Sequence, residues 1–401
     1  MHLPEPRTPL KTAPLWLLAL ITFSGTLGMH IFVPALPYAA RDLGASITEM
    51  QLTVSLYILG LAIGQLVYGP LSDRFGRRKT LMVGLVLYTV SGAAAALAPQ
   101  AHALIAARLF QALGGCAGMV LGRAIVRDTS AADESARRLA VLGLIVSIGP
   151  GVAPIVGGAL ASALGWRWIF VLLCVLGIAN LVCSWRLLPE TGRAGSHTDA
   201  SSLMRNYGRL LRSPAFLGYA IGGGCTTTSA YAFIATAPFI FVNELHRPAY
   251  EVGLYLGLLI VGGSLGVGIA SRLIGRIPIQ KLLMGASAIG MLSALVFLGA
   301  VVWGQLSVAW VMAPMFVYMF TSAMGGPASL TLAISVDTRV IGSASGLYGF
   351  TQMLIGALCT ALAGLGRDPA LSVAVILAIT GVLGQIGFRV AMRSPQDGNT
   401  S

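Results

Sequence analysis

Carboxylates are scarce in this chain. Asp and Glu together number 14 in 401 residues, and charged residues of every kind make up 10%, against roughly 25% in an ordinary soluble domain. With 56% hydrophobic residues, that scarcity excludes a soluble fold, because a water-exposed surface of this composition would carry large apolar patches. Cysteines are few as well. Cys116, Cys174, Cys183, Cys225 and Cys359 lie in apolar runs without metal-ligand spacing, and they read as small core residues. The N-terminus carries no cleavable signal, since its apolar run is too long and no small-residue cleavage site follows. No stretch interleaves basic and aromatic residues, so the net charge of +12 is not a nucleic-acid footprint.

What is there is a series of long apolar runs. No Asp, Glu, Lys or Arg occurs from Thr12 to Ala40, Gln51 to Ser72, Thr80 to Ala107 or Leu139 to Trp166. The same holds for Ser213 to Asn243, Val252 to Ser271, Leu282 to Val336, Val340 to Gly366 and Pro369 to Phe388. A membrane-spanning helix needs about 20 mostly apolar residues. Each gap fits one span, except that Leu282–Val336 fits two joined near Trp303. Shorter runs at Leu109–Gly122 and Trp168–Trp185 add two more. The expected spans are 14–38, 48–70, 80–98, 102–124, 139–160 and 168–188, then 214–240, 251–271, 282–302, 307–333, 340–363 and 370–391. The runs lack the period-2 alternation of a barrel strand, and unbroken apolar runs close their backbone hydrogen bonds internally as helices. Glycines spaced by four, as in Gly114, Gly118 and Gly122 or Gly262 and Gly266, let helices approach closely in lipid.

Basic residues set the expected topology. With both termini on the cytoplasmic side, Arg41, Arg167, Arg247 and Arg367 face the periplasm, Arg108 lies in a span, and the rest of the 26 Lys and Arg are cytoplasmic, the asymmetry the positive-inside rule describes. The polar stretch from Pro189 to Arg212, with Arg193, Arg205 and Arg209, reads as a cytoplasmic linker. The expected organisation is a six-helix bundle over 1–188, a linker over 189–213 and a second six-helix bundle over 214–401. The halves share a short repeat. GPLSDRFGR from Gly69 and GIASRLIGR from Gly268 match at Gly69/Gly268, Ser72/Ser271, Gly76/Gly275 and Arg77/Arg276. Asp73 corresponds to Arg272, so the copies have diverged. Internal duplication with a binding site between the halves is a common transporter plan.

The segment GPLSDRFGRRK at Gly69–Lys79, between the second and third spans, resembles the loop signature of the major facilitator superfamily. RLFQALGGCAG from Arg108, GRAIVRD from Gly122, PGVAPIVGG from Pro150, GWRWIF from Gly165, LPET from Leu188 and FVPALP in the first span together resemble the bicyclomycin/chloramphenicol-resistance branch of the drug:proton antiporters. The resemblance implies an all-α membrane protein of twelve transmembrane helices in two six-helix pseudo-repeats, the major facilitator fold. It implies proton-coupled multidrug efflux from a bacterial inner membrane, with no cofactor beyond the coupling proton, the lipid bilayer and a small-molecule substrate as the only partners, and a monomer.

Within that frame, Arg108 reads either as a fixed charge coupling proton and substrate or as an arginine reaching the periplasmic interface. Charge at mid-membrane costs about 2.5–3.5 kcal/mol even on mild scales. Gln111 shares its face. His30 stands where the related exporters usually carry Asp, four residues before Pro34. It reads either as the carrier of the coupling proton, since imidazole titrates in the physiological range, or as a neutral hydrogen-bonded group. Thr22, Thr26 and His30 are spaced by four and form an expected polar stripe toward a central cavity, with Tyr57, Tyr231, Phe239 and Tyr255 reading either as cavity walls or as lipid-facing or interfacial belt residues. No Asp or Glu falls inside an expected span; Glu49 and Glu251 sit at span starts. Strongly cationic substrates are therefore disfavoured, and neutral, zwitterionic or weakly acidic ones expected.

Gly69, Asp73, Arg74, Gly76, Arg77, Arg78 and Asp128 form the loop cluster that, in the family, latches the halves in the outward-facing state. Arg74 and Lys79 also fit plain positive-inside topology. Pro150, Pro154, Gly157 and Gly158 resemble the antiporter signature, with Ala153 in place of its usual Gly; prolines there bend span five. Gly262–Gly266 fits the GxSxG nucleophile elbow, but that motif needs a strand-turn-helix context, so no enzyme is expected. The alternatives are a metabolite facilitator or exporter without proton coupling, or a non-transporting membrane sensor.

Overall fold

A computed structural model describes residues 13–130, 132–191, 200–337 and 340–394; Arg193 of the expected linker lies outside the described residues. The first span is broken by its sequence. Helix α1 (Leu15–His30) stops short of Pro34, whose ring and missing N–H cannot continue it. The chain passes through a 3-10 turn (Val33–Ala35) and resumes as α2 (Leu36–Asp42). Helix α3 (Ile47–Phe75) opens on a capping box: the Glu49 N–H donates to the Ser46 hydroxyl and the Ser46 N–H donates back to the Glu49 carboxylate. Helices α4 (Arg77–Ala96), α5 (Ala101–Thr129), α6 (Ala132–Ala163) and α7 (Arg167–Leu187) complete the first half. Helix α8 (Ala200–Leu211) follows, and its Arg209 lies 3.5 Å from Asp337 of the second half.

The seventh span comprises α9 (Pro214–Thr227), α10 (Ala230–Phe239) and one π turn (Ile240–Glu244). Sequence places its end at 240. The π turn carries it further and draws Asn243 and Glu244 into the helix. Helices α11 (Ala249–Leu273), α12 (Ile279–Val302), α13 (Val308–Ile334), α14 (Ile341–Ala363) and α15 (Pro369–Arg393) complete the chain. Among the described residues, 11 stretches are long and apolar enough to cross a membrane. The twelfth span is α6, with 32 residues and an apolar stretch at Gly149–Ala163.

The outer surface is apolar along whole helices. Val83, Val86 and Val90 on α4, Leu172, Val175, Ile178 and Val182 on α7, and Ile379, Val382, Ile386 and Val390 on α15 are all exposed. Their spacing of three and four puts each set on one helix face, which is the face hydrocarbon covers.

Between the halves, α3 packs on α14 and α6 on α11. The second span of each half meets the fifth of the other, as a pseudo-two-fold axis requires. The antiporter-like segment makes this contact close. A Cβ on Gly253 would stand 2.6 Å from the Pro154 carbonyl oxygen, and one on Gly158 would stand 2.9 Å from that of Ala249. Gly157 sits equally tightly against the Ile31 carbonyl of the first span, so these small residues bring backbones together.

The sequence repeat is also a structural one. The Ser72 hydroxyl donates to the Gly69 carbonyl at 2.9 Å, and Ser271 to Gly268 at 2.8 Å. Gly76 and Gly275 both end a helix at positive φ, 96° and 89°, where residues with a Cβ are strained.

Even span number puts both described ends on one side, called the termini side here. On the far side, among the described residues, three hydrogen bonds join the halves. Gln51 Nε2 donates to Thr236 Oγ1 at 3.0 Å, Arg41 Nη2 to Asn243 Oδ1 at 3.3 Å, and the Thr48 hydroxyl to the Gly364 carbonyl. These bonds hold the two halves together on the far side.

Candidate functional site

Arg108 is the organising group. It is fully buried on α5, held where α1 and α5 touch. Nη1 donates to the Gly28 carbonyl and to Gln111 Oε1, both at 2.8 Å. The guanidinium carbon lies 4.0 Å from the Tyr57 ring centre and 5.7 Å from those of Phe32 and Phe170. Aromatic faces attract a cation, most strongly when it is dry. No carboxylate pairs with Arg108 among the described residues, and its Nε and Nη2 have no hydrogen-bond partner. The site therefore holds one buried positive charge with two unused donors.

A polar layer supports it. Tyr57 and Tyr88 donate to the Gly25 and Ser24 carbonyls at 2.9 and 3.1 Å, and Asn180 Nδ2 donates to Ser24 Oγ at 2.7 Å. Sequence reasoning missed Ser24, Tyr88, Asn180, Phe32 and Phe170. Asn180, a lone amide in the apolar run of span six, was the one legible signal.

His30 is buried at the end of α1, near enough to Arg108 for the two to interact electrostatically. Its ring lies 6.2 Å from that of half-buried Tyr231 on α10, so the two halves meet at this histidine. The expected stripe does not hold together. Thr22 Oγ1 bonds the Leu18 and Gly118 carbonyls, in the contact with α5. Thr26 bonds the Phe23 carbonyl and faces Gly149 of α6. The three therefore meet different neighbours, Thr22 α5, Thr26 α6 and His30 the second half. Tyr57 likewise covers Arg108 instead of walling an open cavity. Phe239 is buried near the far side, where it lines a cavity with Asn243. Tyr255 donates to Glu251 and stacks on Phe241 at 4.9 Å.

The second half carries a polar cluster of its own, built from hydroxyls and one amide. Gln352 Nε2 donates to Thr227 Oγ1 at 2.9 Å and to the Tyr348 hydroxyl at 3.0 Å, and Tyr348 shares a 2.6 Å bond with Ser329. Thr228 Oγ1 donates to the Gln352 carbonyl at 2.6 Å, and Ser229 meets Tyr318 at 2.7 Å.

At the termini side Arg77 bridges two carboxylates, Asp73 at 2.6 Å and Asp128 at 3.0 Å, and also bonds Ser72. Glu190, read from sequence only as part of LPET, accepts the Arg78 N–H at 3.2 Å and fills the space beside Gly76. It caps the start of α4. Arg78 reaches the Trp185 carbonyl, and Arg74 lies over Phe75. Around Gly69 a Cβ would meet open space. Pro150 and Pro154 lie inside α6. Ser264 of the GxSxG match donates to the Ile260 carbonyl within α11, a helix interior and no nucleophile elbow.

Two pseudo-symmetric six-helix halves, the first of which buries a cation, define a multi-pass membrane transporter. The chain belongs to the major facilitator superfamily, whose sequence profile matches residues 18–360; it is a transporter and not an enzyme. Over 399 residues, and 97% of each chain, it is 33% identical to an uncharacterized MFS-type transporter, YdgK, of Bacillus subtilis. It is 24% identical over 351 residues to the multidrug transporter MdfA of Yersinia pestis, covering 86% of this chain and 85% of that one. A chloramphenicol resistance protein of Pseudomonas aeruginosa is 38% identical over 167 residues, 41% of this chain and 40% of the other. Among solved structures, a D-xylose-proton symporter matches with a TM-score of 0.77 at 16% identity, covering 96% and 98% of the two chains. An inward-facing bacterial Spinster homolog matches with 0.75 at 15%, covering 94% and 97%. These two share the fold.

Proposed function

We propose that the protein exports small, largely apolar drugs or metabolites in exchange for protons, by alternating access, across a bacterial inner membrane. The observation that carries this reading is Arg108 with its two unused donors beside His30, at the level where the halves meet. The relatives named for multidrug transport and chloramphenicol resistance support the substrate class. The distribution of basic residues supports a cytoplasmic termini side. The halves 1–188 and 214–401 then rock about the linker as a monomer, with no cofactor but the proton.

The exchange follows from donor and acceptor counting. Neutral imidazole has one acceptor nitrogen, and Arg108 has only donors. A neutral substrate bearing a carbonyl and a hydroxyl satisfies both: its carbonyl accepts from Arg108 and its hydroxyl donates to His30. A proton on His30 removes that acceptor and sets a second cation beside Arg108. Substrate and proton therefore compete for one site. Latch residues Asp73, Arg77 and Asp128, with Gly69, Gly76, Arg74 and Arg78 around them, then serve the outward-facing state. Pro150, Pro154, Gly157 and Gly158 give the surface on which α6 and α11 pivot. The second reading, export without proton coupling, is favoured by the lack of a carboxylate partner at Arg108. A non-transporting sensor gains no support from the relatives.

Cells stripped of their own exporters and expressing the protein should hold several-fold less labelled chloramphenicol than cells with an empty vector. Collapsing the proton gradient should erase the difference. Equal accumulation with and without the protein would refute export of this class, and a difference that survives collapse of the gradient would favour the second reading.

A further inference from the structure

We propose that Glu244 is a proton-binding site on the far side of the second half: with the proton on, the seventh span stays docked on the start of α15 and the far side stays closed; with the proton off, the dock weakens and the far side opens.

The argument starts from the pseudo-symmetry. In the first half, the first span ends at Asp42 and docks on the start of α7. The Asp42 carboxylate accepts from Trp166 Nε1 at 3.1 Å and pairs with Arg167. Trp166 is the N-cap of α7 and Arg167 its first residue. In the second half, the seventh span ends at Glu244 and docks on the start of α15, whose N-cap is Asp368 and first residue Pro369. The element ends correspond one to one, so Glu244 stands for Asp42, Asp368 for Trp166 and Pro369 for Arg167. Both donors of the first half have been replaced. One replacement is a second carboxylate, and the other lacks even a backbone N–H.

The consequence is visible at the atoms. Glu244 accepts the Ala370 N–H, but its Oε1 is buried with no hydrogen-bond partner. Asp368 is close enough to repel it, while its own Oδ1 accepts from the Leu371 N–H at 2.9 Å. A carboxylate oxygen buried without a donor and close enough to a second carboxylate to be repelled by it is costly unless it carries a proton. That proton supplies the donor which Trp166 and Arg167 supply in the first half. The other charges near this end are committed elsewhere. Arg41 donates to Asn243, the Glu49 carboxylate accepts from Ser46 in its capping box, and Glu251 pairs with Arg247 at 4.0 Å. Arg367 precedes Asp368 in the loop, and His246 follows the π turn.

Two features tie this site to opening. Glu244 shares its π turn with Asn243, which makes one of the cross-half bonds, and π turns often mark functional positions. A cavity of about 330 Å³ lined by Pro37, Arg41, Gly44, Ala45, Phe239 and Asn243 lies beside the same turn, on the far side. The direction suits proton-driven export. A proton arriving from outside closes the outside. The inference rests on the proposed orientation but not on the exchange reading, because its test involves neither substrate nor flux.

The test is the rate at which a charged, membrane-impermeant maleimide labels Ala45→Cys, at the mouth of that cavity, in intact cells. Rates are normalised to denatured protein at each pH and corrected for the parent without this cysteine. In the parent background the normalised rate should rise about five-fold or more between about pH 5 and pH 8. Glu244→Gln, which carries the donor permanently, should stay slow at every pH. Glu244→Ala, which removes the dock, should be fast at every pH. Opposite flat profiles from two substitutions at one position cannot both come from misfolding. A Glu244→Gln protein that keeps the parent's pH dependence, or a parent with none, would overturn the proposal.

Discussion

Arg108→Met should abolish efflux and at the same time raise the melting temperature of the purified protein. The two effects have one cause. A buried ion without a counter-ion costs several kcal/mol in desolvation. Arg108 recovers part of this from three aromatic rings and from its bonds to Gly28 and Gln111. Nε and Nη2 recover nothing. Methionine fills the same channel with a flexible apolar chain and carries no charge to desolvate. Its cost is two acceptors left short of a donor, about 1 kcal/mol each. The balance favours the variant by a few degrees in melting temperature. Transport moves the other way. Two charge-assisted bonds to substrate at about 1.5–3 kcal/mol each are lost, which reduces efflux by about 100-fold or more at 1.4 kcal/mol per decade. Arg108→Lys keeps the charge but not the planar fork, and it should not restore transport. Thermal unfolding and drug efflux on the same preparations check the pair. Loss of efflux with a lower melting temperature would make Arg108 a structural part.

His30→Asp should shift the substrate range from neutral compounds toward cations. A carboxylate at position 30 would meet Arg108, and at about 4 Å in a partly screened interior such a pair is worth about 4 kcal/mol. Arg108 would then spend its free donors on the new partner. The export of neutral compounds should fall about ten-fold, the equivalent of 1.4 kcal/mol. The carboxylate, shared between Arg108 and substrate, would offer lipophilic cations the acceptor that the native site lacks. Efflux of ethidium, negligible for the native protein, should appear. Paired accumulation assays with chloramphenicol and ethidium read both changes. Unchanged selectivity would mean that position 30 does not touch substrate.

Span positions were legible because charge is excluded from hydrocarbon, and the gaps between charged residues mark where hydrocarbon lies. The Gly69/Gly268 repeat was legible because a helix stop at positive φ demands glycine, and Gly76 and Gly275 both provide it. Arg108 and Gln111 stood out as polar groups with no neighbouring polar run. The hydroxyl cluster of the second half did not, for a physical reason. Serine and threonine in a span can bond their own helix, as Thr226 does to Gly222 and Ser264 to Ile260. A hydroxyl in a span therefore carries little information about what it faces. Thr22, Thr26 and His30 lie on one side of α1, but which neighbour each meets is set by tertiary packing that their spacing does not show. The expected end of the seventh span at 240 falls short of Glu244 because a π turn has no period that an apolar pattern reveals. Glu190 was read as punctuation, since which helix start a loop carboxylate caps depends on the tertiary fold.

The central claim is that drug and proton exchange at one site containing His30 and Arg108. The most direct measurement is proton movement in everted membrane vesicles holding an acidic lumen, with chloramphenicol added outside. The native protein should answer each addition with release of protons from the lumen. His30→Ala should bind and move drug with no proton signal, and Arg108→Met should give neither. Drug uptake by the native protein without proton release, or proton release that persists in His30→Ala, would contradict the account.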